Sequence, residues 1–152
     1  MVISGDYYDS SARPLMFQAY NVVTNEEDFW LDFSRSPSST NYWLVDNKAK
    51  GTDAQPFMTF SCTKTIRGFQ LRNTHNAQYK DRGTAKFSIS IWDSNTNKWT
   101  EVLTGTLPDA RSTAIAPVLT YALDDAVTTD KVIFQIDSYY GLGGGLQYFA
   151  TY

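Results

Sequence analysis

The stretch Ile66–Trp92, IRGFQLRNTHNAQYKDRGTAKFSISIW, decides how the rest of the chain is read. In its last seven residues Phe87, Ile89 and Ile91 alternate with Lys86, Ser88 and Ser90. A strand sends successive side chains to opposite faces, so this period marks a half-buried strand with Phe87, Ile89 and Ile91 inward. At the other end Phe69 and Leu71 share a face with Arg67, while Gln70 and Arg72 point away. Arg67 then lies at the apolar edge, its stem packed and its head in water or paired. Between the two runs is a polar turn holding the only histidine, His75, and the pair Asp81 and Arg82 ahead of Gly83. The pattern predicts a hairpin at the centre of a β-sandwich, its loop on a ligand face or bracing one.

Upstream, PFMTFSC reads as a separate strand ending in Cys62, a small buried hydrophobe. Before it, the loops Ser34–Asn41 and Asn47–Pro56 separate the apolar runs around Phe29–Phe33 and Tyr42–Val45. Leu15–Thr24 fits a short strand or helical turn, and residues 1–14 a lead-in that becomes ordered near Arg13-Pro14. Downstream, the turn Asp93–Lys98 closes the KFSISIW strand and Trp99–Thr104 forms the next one. TLPDARSTAIAP is mostly loop. Val118–Leu123 and Lys131–Asp137 read as two strands joined by the turn DDAVTTD, and GLGGG (Gly141–Gly145) as a tight turn before the last strand, LQYFATY. Trp30, Trp43, Trp92 and Trp99 are core candidates, with Trp92 the most exposed beside its turn. Seven to nine short strands with no clear helix and no repeat predict an all-β, antiparallel β-sandwich or jelly roll.

With 152 residues, the chain is the size of one domain able to bury a substantial core, here residues 15–152. A net charge of -3 and a pI near 5.0 count against nucleic-acid binding, which needs a broad cationic surface. The charge is uneven. Residues 1–53 carry eight acids and four bases, whereas Lys64–Lys86 holds six bases against Asp81 alone, a pattern that suits an anionic ligand or an ordinary solvated surface. One cysteine excludes an internal disulfide and a thiolate zinc cluster. No run approaches the length of a membrane span, and the N-terminus lacks the apolar core of a signal peptide.

In order and spacing, several pieces resemble the discoidin, or coagulation-factor type C, domain of the galactose-binding-domain-like superfamily. They are Phe29-Trp30, IRGFQLRN, DRGTAKFSISI, KWTEV, KVIFQIDSYYG and GGGLQYF, and the likeness spans about residues 15–152. It implies a non-catalytic module that binds galactose, fucose or other glycans, phospholipid head groups or protein partners through loops at one end. A glycan or glycoprotein is the leading partner. The resemblance also implies an extracellular or cell-surface setting. The alternative is a protein-interaction or assembly domain, which the free cysteine would allow inside the cell; binding to anionic lipid or sulfated glycan surfaces ranks third.

Fucose-binding relatives use a histidine and two arginines around this strand-turn-strand, which makes Arg72, Asn73, His75, Tyr79 and Arg82 the candidate ligand contacts. Here His75 stands in the turn itself, whereas the relatives' histidine comes from an earlier loop. Each residue also has a plainer role. Asp81 would cap the turn, Arg82 would pair across the sheet, and His75 would be an exposed turn residue. Many relatives also hold calcium with an early loop and a carboxylate in the last strand. The corresponding donors here are Asn21 and Asn25, and the last strand offers Gln147 and Tyr148 without an acid.

A His75–Cys62 dyad is conceivable, but Cys62 ends an apolar strand and reads as a small buried hydrophobe. The 16 acids give no positive sign of the two facing carboxylates a glycosidase needs, so the chain reads as no enzyme.

Overall fold

The computed structural model describes residues 7–8, 29–32, 42–45, 48, 50–51, 57–113 and 116–152. Leu15–Thr24, expected as a short strand or helical turn, and the expected calcium donors Asn21 and Asn25 lie outside them. The fold is all-β and antiparallel, and its central sheet runs β2 (Phe29–Asp32), β11 (Tyr148–Thr151), β4 (Phe57–Arg72), β8 (Leu119–Ile136), β6 (Lys86–Asp93), β7 (Lys98–Thr106). A three-stranded sheet joins β1 (Tyr7–Tyr8), β3 (Tyr42–Leu44) and β10 (Gly145–Leu146), and β5 (Arg82–Thr84) pairs with β9 (Tyr139–Gly141). Tyr7 and Tyr8, in the expected lead-in, thus pair with Trp43 and Tyr42.

Two strands of the central sheet are unusually long, β4 with 16 residues and β8 with 18. Each replaces two expected strands. DDAVTTD is no turn but the middle of β8, and PFMTFSC continues into IRGFQLR as one strand. The two partners go out of step twice. Thr59 faces Lys131 but Lys64 faces Thr129, so β4 carries the surplus there; Ile66 faces Val127 but Gly68 faces Ala122, so β8 does. Such irregularities let a strand turn a corner and pass from one layer of a sandwich to the other.

The core confirms the corner. Phe87 stands opposite Ile136, and Tyr121 lies fifteen residues earlier on β8, about 50 Å away if that strand were straight. Yet the Phe87 and Tyr121 rings are 5.2 Å apart, edge to face, and Phe134 meets Phe149 at 5.5 Å. One layer is therefore β7, β6 and the second half of β8. The other is the first half of β8, the second half of β4, β11 and β2. Between them lie Phe69, Leu71, Phe87, Ile89, Phe134, Ile136 and Phe149, all essentially inaccessible.

Several local expectations change with this path. The β4 and β6 strands form no hairpin, because β8 lies between them and the segment joining them crosses to another sheet. Cys62 is exposed, since it falls in the surplus of β4 at the corner. The slip between Ile66 and Gly68 breaks the alternation, so that Ile66 enters the core and Arg67 faces solvent. Ser88, expected outward, is buried on a central strand flanked on both sides. On edge strand β7, Glu101 faces Ser90 and Leu103 faces Ile89, leaving Val102 as a bulge. Trp99, rather than Trp92, is the more exposed tryptophan, at 37%, because it sits on that edge; the two rings meet at 5.5 Å.

Candidate functional site

Where β4 ends, three segments converge: residues 73–85, 107–113 and 137–147. Asn73 ties the first two together. Its amide donates to the carbonyls of Thr84 (2.8 Å) and Pro108 (3.0 Å), and its carbonyl accepts from the backbone N–H groups of Thr74 (3.0 Å) and Thr84 (2.9 Å). An asparagine side chain offers two donors and two lone pairs, so none is left for a ligand. Thr84 continues the tie, its hydroxyl donating to Gly145 O at 2.7 Å and accepting from Gly145 N at 3.1 Å. Tyr140 Oη donates to Leu107 O at 3.0 Å.

The sequence candidates divide on this frame. Asn73 and Thr74 are buried, and His75 is 6% exposed rather than the open turn residue expected. Beyond His75 the chain turns outward through a single 3-10 turn, Ala77–Tyr79, flanked by Asn76 (φ 63°) and Lys80 (φ 51°) in the left-handed region. Asn tolerates that conformation, but lysine is held there at a cost of about 1–3 kcal/mol. Asn76 Nδ2 donates to Asp81 Oδ1 at 2.7 Å and closes the turn, so Asp81 does brace it. At the apex Tyr79 is 68% exposed.

Arg82 pairs with its neighbour Asp81 at 3.2 Å, and only 12% of its side chain is exposed. Leu71 faces the core, so alternation turns Arg72 to the outer face of its sheet, where Tyr148 is its register partner. Arg72 Nε is buried there without a hydrogen-bond partner among the described residues. Arg72 therefore leaves the cluster, while Tyr79 and Arg82 stay on the loop end.

The opposite rim comes from the glycine-rich segment. Leu142 N donates to Asp81 O at 2.7 Å, and Gly83 N to Gly143 O at 3.0 Å. Gly141 has φ +74°, and a Cβ there would stand 2.5 Å from Asp81 O, so the turn expected in GLGGG requires glycine at this point. Leu142 beside it is 46% exposed.

Sequence reading passed over Asp109 and Arg111. In the loop after β7, Arg111 Nε and Nη2 grip the Asp109 carboxylate at 2.7–3.1 Å, and the guanidinium lies 5.8 Å from the Tyr140 ring centroid. The hydrogen bonds from Arg111 hold the Asp109 carboxyl below its ordinary pKa. A carboxylate and an arginine two residues apart in a proline-bounded loop were the available signal. It was weak, because their meeting depends on the turn that Asp109 itself caps by accepting from Arg111 N at 3.1 Å.

Among the described residues no group of three or more His, Cys, Asp or Glu converges to hold a metal. Gln147 is buried, and its backbone N–H donates to Arg72 O. Asn21 and Asn25, the other expected calcium donors, lie outside the described residues. His75 and Cys62 are separated by the second half of β4 and form no dyad.

No protein-family model matches the chain, and no curated protein matches it by sequence. Solved structures do match. The family 32 carbohydrate-binding module of C. perfringens NanJ, in complex with galactose, superposes with a TM-score of 0.60 at 9% identity, over 78% of this chain and 79% of that one. CBM32-1 from a family 31 glycoside hydrolase of Clostridium perfringens gives 0.60 at 11% identity, over 88% and 99%. The module of Streptococcus pneumoniae EndoD gives 0.56 at 11%, over 76% and 77%. The chain thus has the fold of the family 32 carbohydrate-binding modules, the galactose-binding-like β-sandwich that its sequence resembles.

Proposed function

We propose that the chain is a non-catalytic glycan-binding module that takes a saccharide at the loop end, with Tyr79 as the stacking surface and Arg82 as the hydrogen-bonding group. The observation that carries this is Tyr79 itself, 68% exposed on a turn held by two left-handed residues and the Asn76–Asp81 hydrogen bond. Folding alone gives no reason to present a tyrosine this way. A sugar has an apolar C–H face and a hydroxylated rim, which matches an aromatic ring beside a planar guanidinium fork. A turn whose backbone is already held loses little freedom when a ligand stacks on the ring it carries. Asp81 orients Arg82 and keeps its charge from being buried unpaired.

The fold likeness to carbohydrate-binding modules supports the same class, and with it an extracellular or cell-surface setting. Asn73 and His75 act in this reading as the buried base of the turn rather than as ligand contacts. Arg72, on the outer sheet face, stands outside the site.

A glycan array run with calcium and with a chelator is the direct test. Binding that persists in chelator, and falls about tenfold in Tyr79→Ala at an unchanged melting temperature, is the expected result. Failure to bind any glycan under either condition overturns the proposal.

A further inference from the structure

Arg72, which lies outside the loop-end site, stands on the outer face of the layer that holds the second half of β4. Its Nε is closed to solvent without a hydrogen-bond partner, and among the described residues its guanidinium forms no ion pair. Folded chains rarely leave a buried charged donor unmatched. The side chain is partly exposed, which leaves its Nη groups as the donors an incoming anion can reach. Around it the face is flat. Phe149 faces the core, so Tyr148 and Tyr152 alternate outward, about 13 Å apart along the strand. A Cβ on Gly68 would collide with the Tyr152 phenol, which therefore lies across β4, while the Tyr152 N–H donates to Gly68 O at 3.1 Å. Gln70 reaches the Thr120 hydroxyl only at 3.5 Å, so both keep capacity to spare.

We propose that this face is a second binding site, separate from the loop end, for an extended uronate-bearing polysaccharide. Arg72 takes a carboxylate across its planar fork, and the tyrosines lie against sugar rings. Charge selects the carboxylate: at the outward positions 68, 70 and 72 of β4, 148, 150 and 152 of the last strand and 120 and 122 of β8, Arg72 is the one ionised residue. Composition selects the saccharide over an acidic protein. A protein interface needs an apolar centre, and those positions hold no Leu, Ile, Val, Phe or Met. A strip with phenols at both ends suits several joined sugars rather than one.

The test is calorimetric titration of polygalacturonate, its fully methyl-esterified form and polyglutamate at low salt. The proteins are Tyr79→Ala, which silences the loop end, and the same chain with Arg72→Gln added. Polygalacturonate is expected to bind Tyr79→Ala, to bind about tenfold more weakly once Arg72 is replaced, and to weaken as salt rises. The methyl ester is expected to show the same tenfold loss. No binding to Tyr79→Ala overturns the second site and leaves the loop-end reading standing. Equal binding with and without Arg72, or of the ester and the free acid, also overturns it, and polyglutamate binding as tightly overturns the saccharide as occupant. Arg72→Gln removes an unmatched donor and is expected to keep the melting temperature. Should it fail to fold, Arg72→Lys keeps the charge without the fork and is expected to show a loss of the same direction.

Discussion

Asn73–His75 and Ala77–Arg82 belong to one short polar segment, yet they are physically opposite. The first three residues are buried, with Asn73 joined to the backbone on two other segments. The last six rise from that base on strained dihedrals and end in an exposed tyrosine and a partly covered arginine. Asn, Thr and His make up the first half, and Gln, Lys, Asp and Arg most of the second, so polarity does not separate support from presentation. What separates them is burial, anchored by Asn73, whose hydrogen-bonding capacity is already spent on the backbone. A saturated, buried amide makes the frame, and the residues carried beyond it are the ones a ligand can reach.

Breaking the supporting half is expected to have the largest effect. Asn73→Ala leaves the N–H groups of Thr74 and Thr84 and the carbonyls of Thr84 and Pro108 without their partner, and should cost about 3 kcal/mol in chemical denaturation. An unchanged denaturation midpoint would mean that water replaces the side chain and that the frame is not built on it. Next in size is Gly141→Ala, which forces a Cβ against Asp81 O at a positive φ and should cost about 2 kcal/mol while shifting the rim under Arg82. Binding retained at full affinity in that variant would detach the rim from the site.

The presenting half predicts the reverse pattern. Lys80→Gly relieves a left-handed lysine and should be stabilising or neutral by about 1 kcal/mol, while loosening the turn and weakening glycan binding several-fold. A matched loss of stability and binding would merge the two halves into one structural unit.

The smallest effect is electrostatic. Asp93 is held below its ordinary pKa chiefly by the Asn95 N–H and the Thr96 hydroxyl, and Asp109 chiefly by the Arg111 side chain. A carboxyl whose folded pKa is lowered contributes stability above its unfolded pKa and loses it as pH falls through the folded one. The melting temperature should therefore decline below about pH 4, with a shallower decline in Asp109→Asn. Identical acid profiles for the two proteins would remove Asp109 from this account.

The strands flanking the loop were legible because each carries its information locally. Phe69, Leu71, Phe87, Ile89 and Ile91 occupy the core as their alternation requires. The β-class follows from the same periodicity repeated along the chain. The partners of those strands were not legible. DDAVTTD has the composition of a turn and lies inside an 18-residue strand, because β4 along its flank supplies hydrogen bonds on both sides of the corner. Polar residues are tolerated there since the surplus of a bulged strand faces water. The same cause exposes Cys62 and Arg67 and inserts β8 between two strands that looked like a hairpin.

At the site, the residue types suited to a sugar could be named from the sequence, and Tyr79 and Arg82 remain together at one rim. Whether a side chain faces a ligand or the protein depends on contacts from far along the chain, Pro108, Gly145 and Leu142 among them. Local periodicity thus determined that this chain makes an antiparallel β-sandwich and which residues fill it. Only the tertiary structure decided which end gathers the loops, that Asn73 is spent inside it and that Tyr79 is left outside. The reason is that a hydrogen bond can be counted as used only once both of its partners have been brought together.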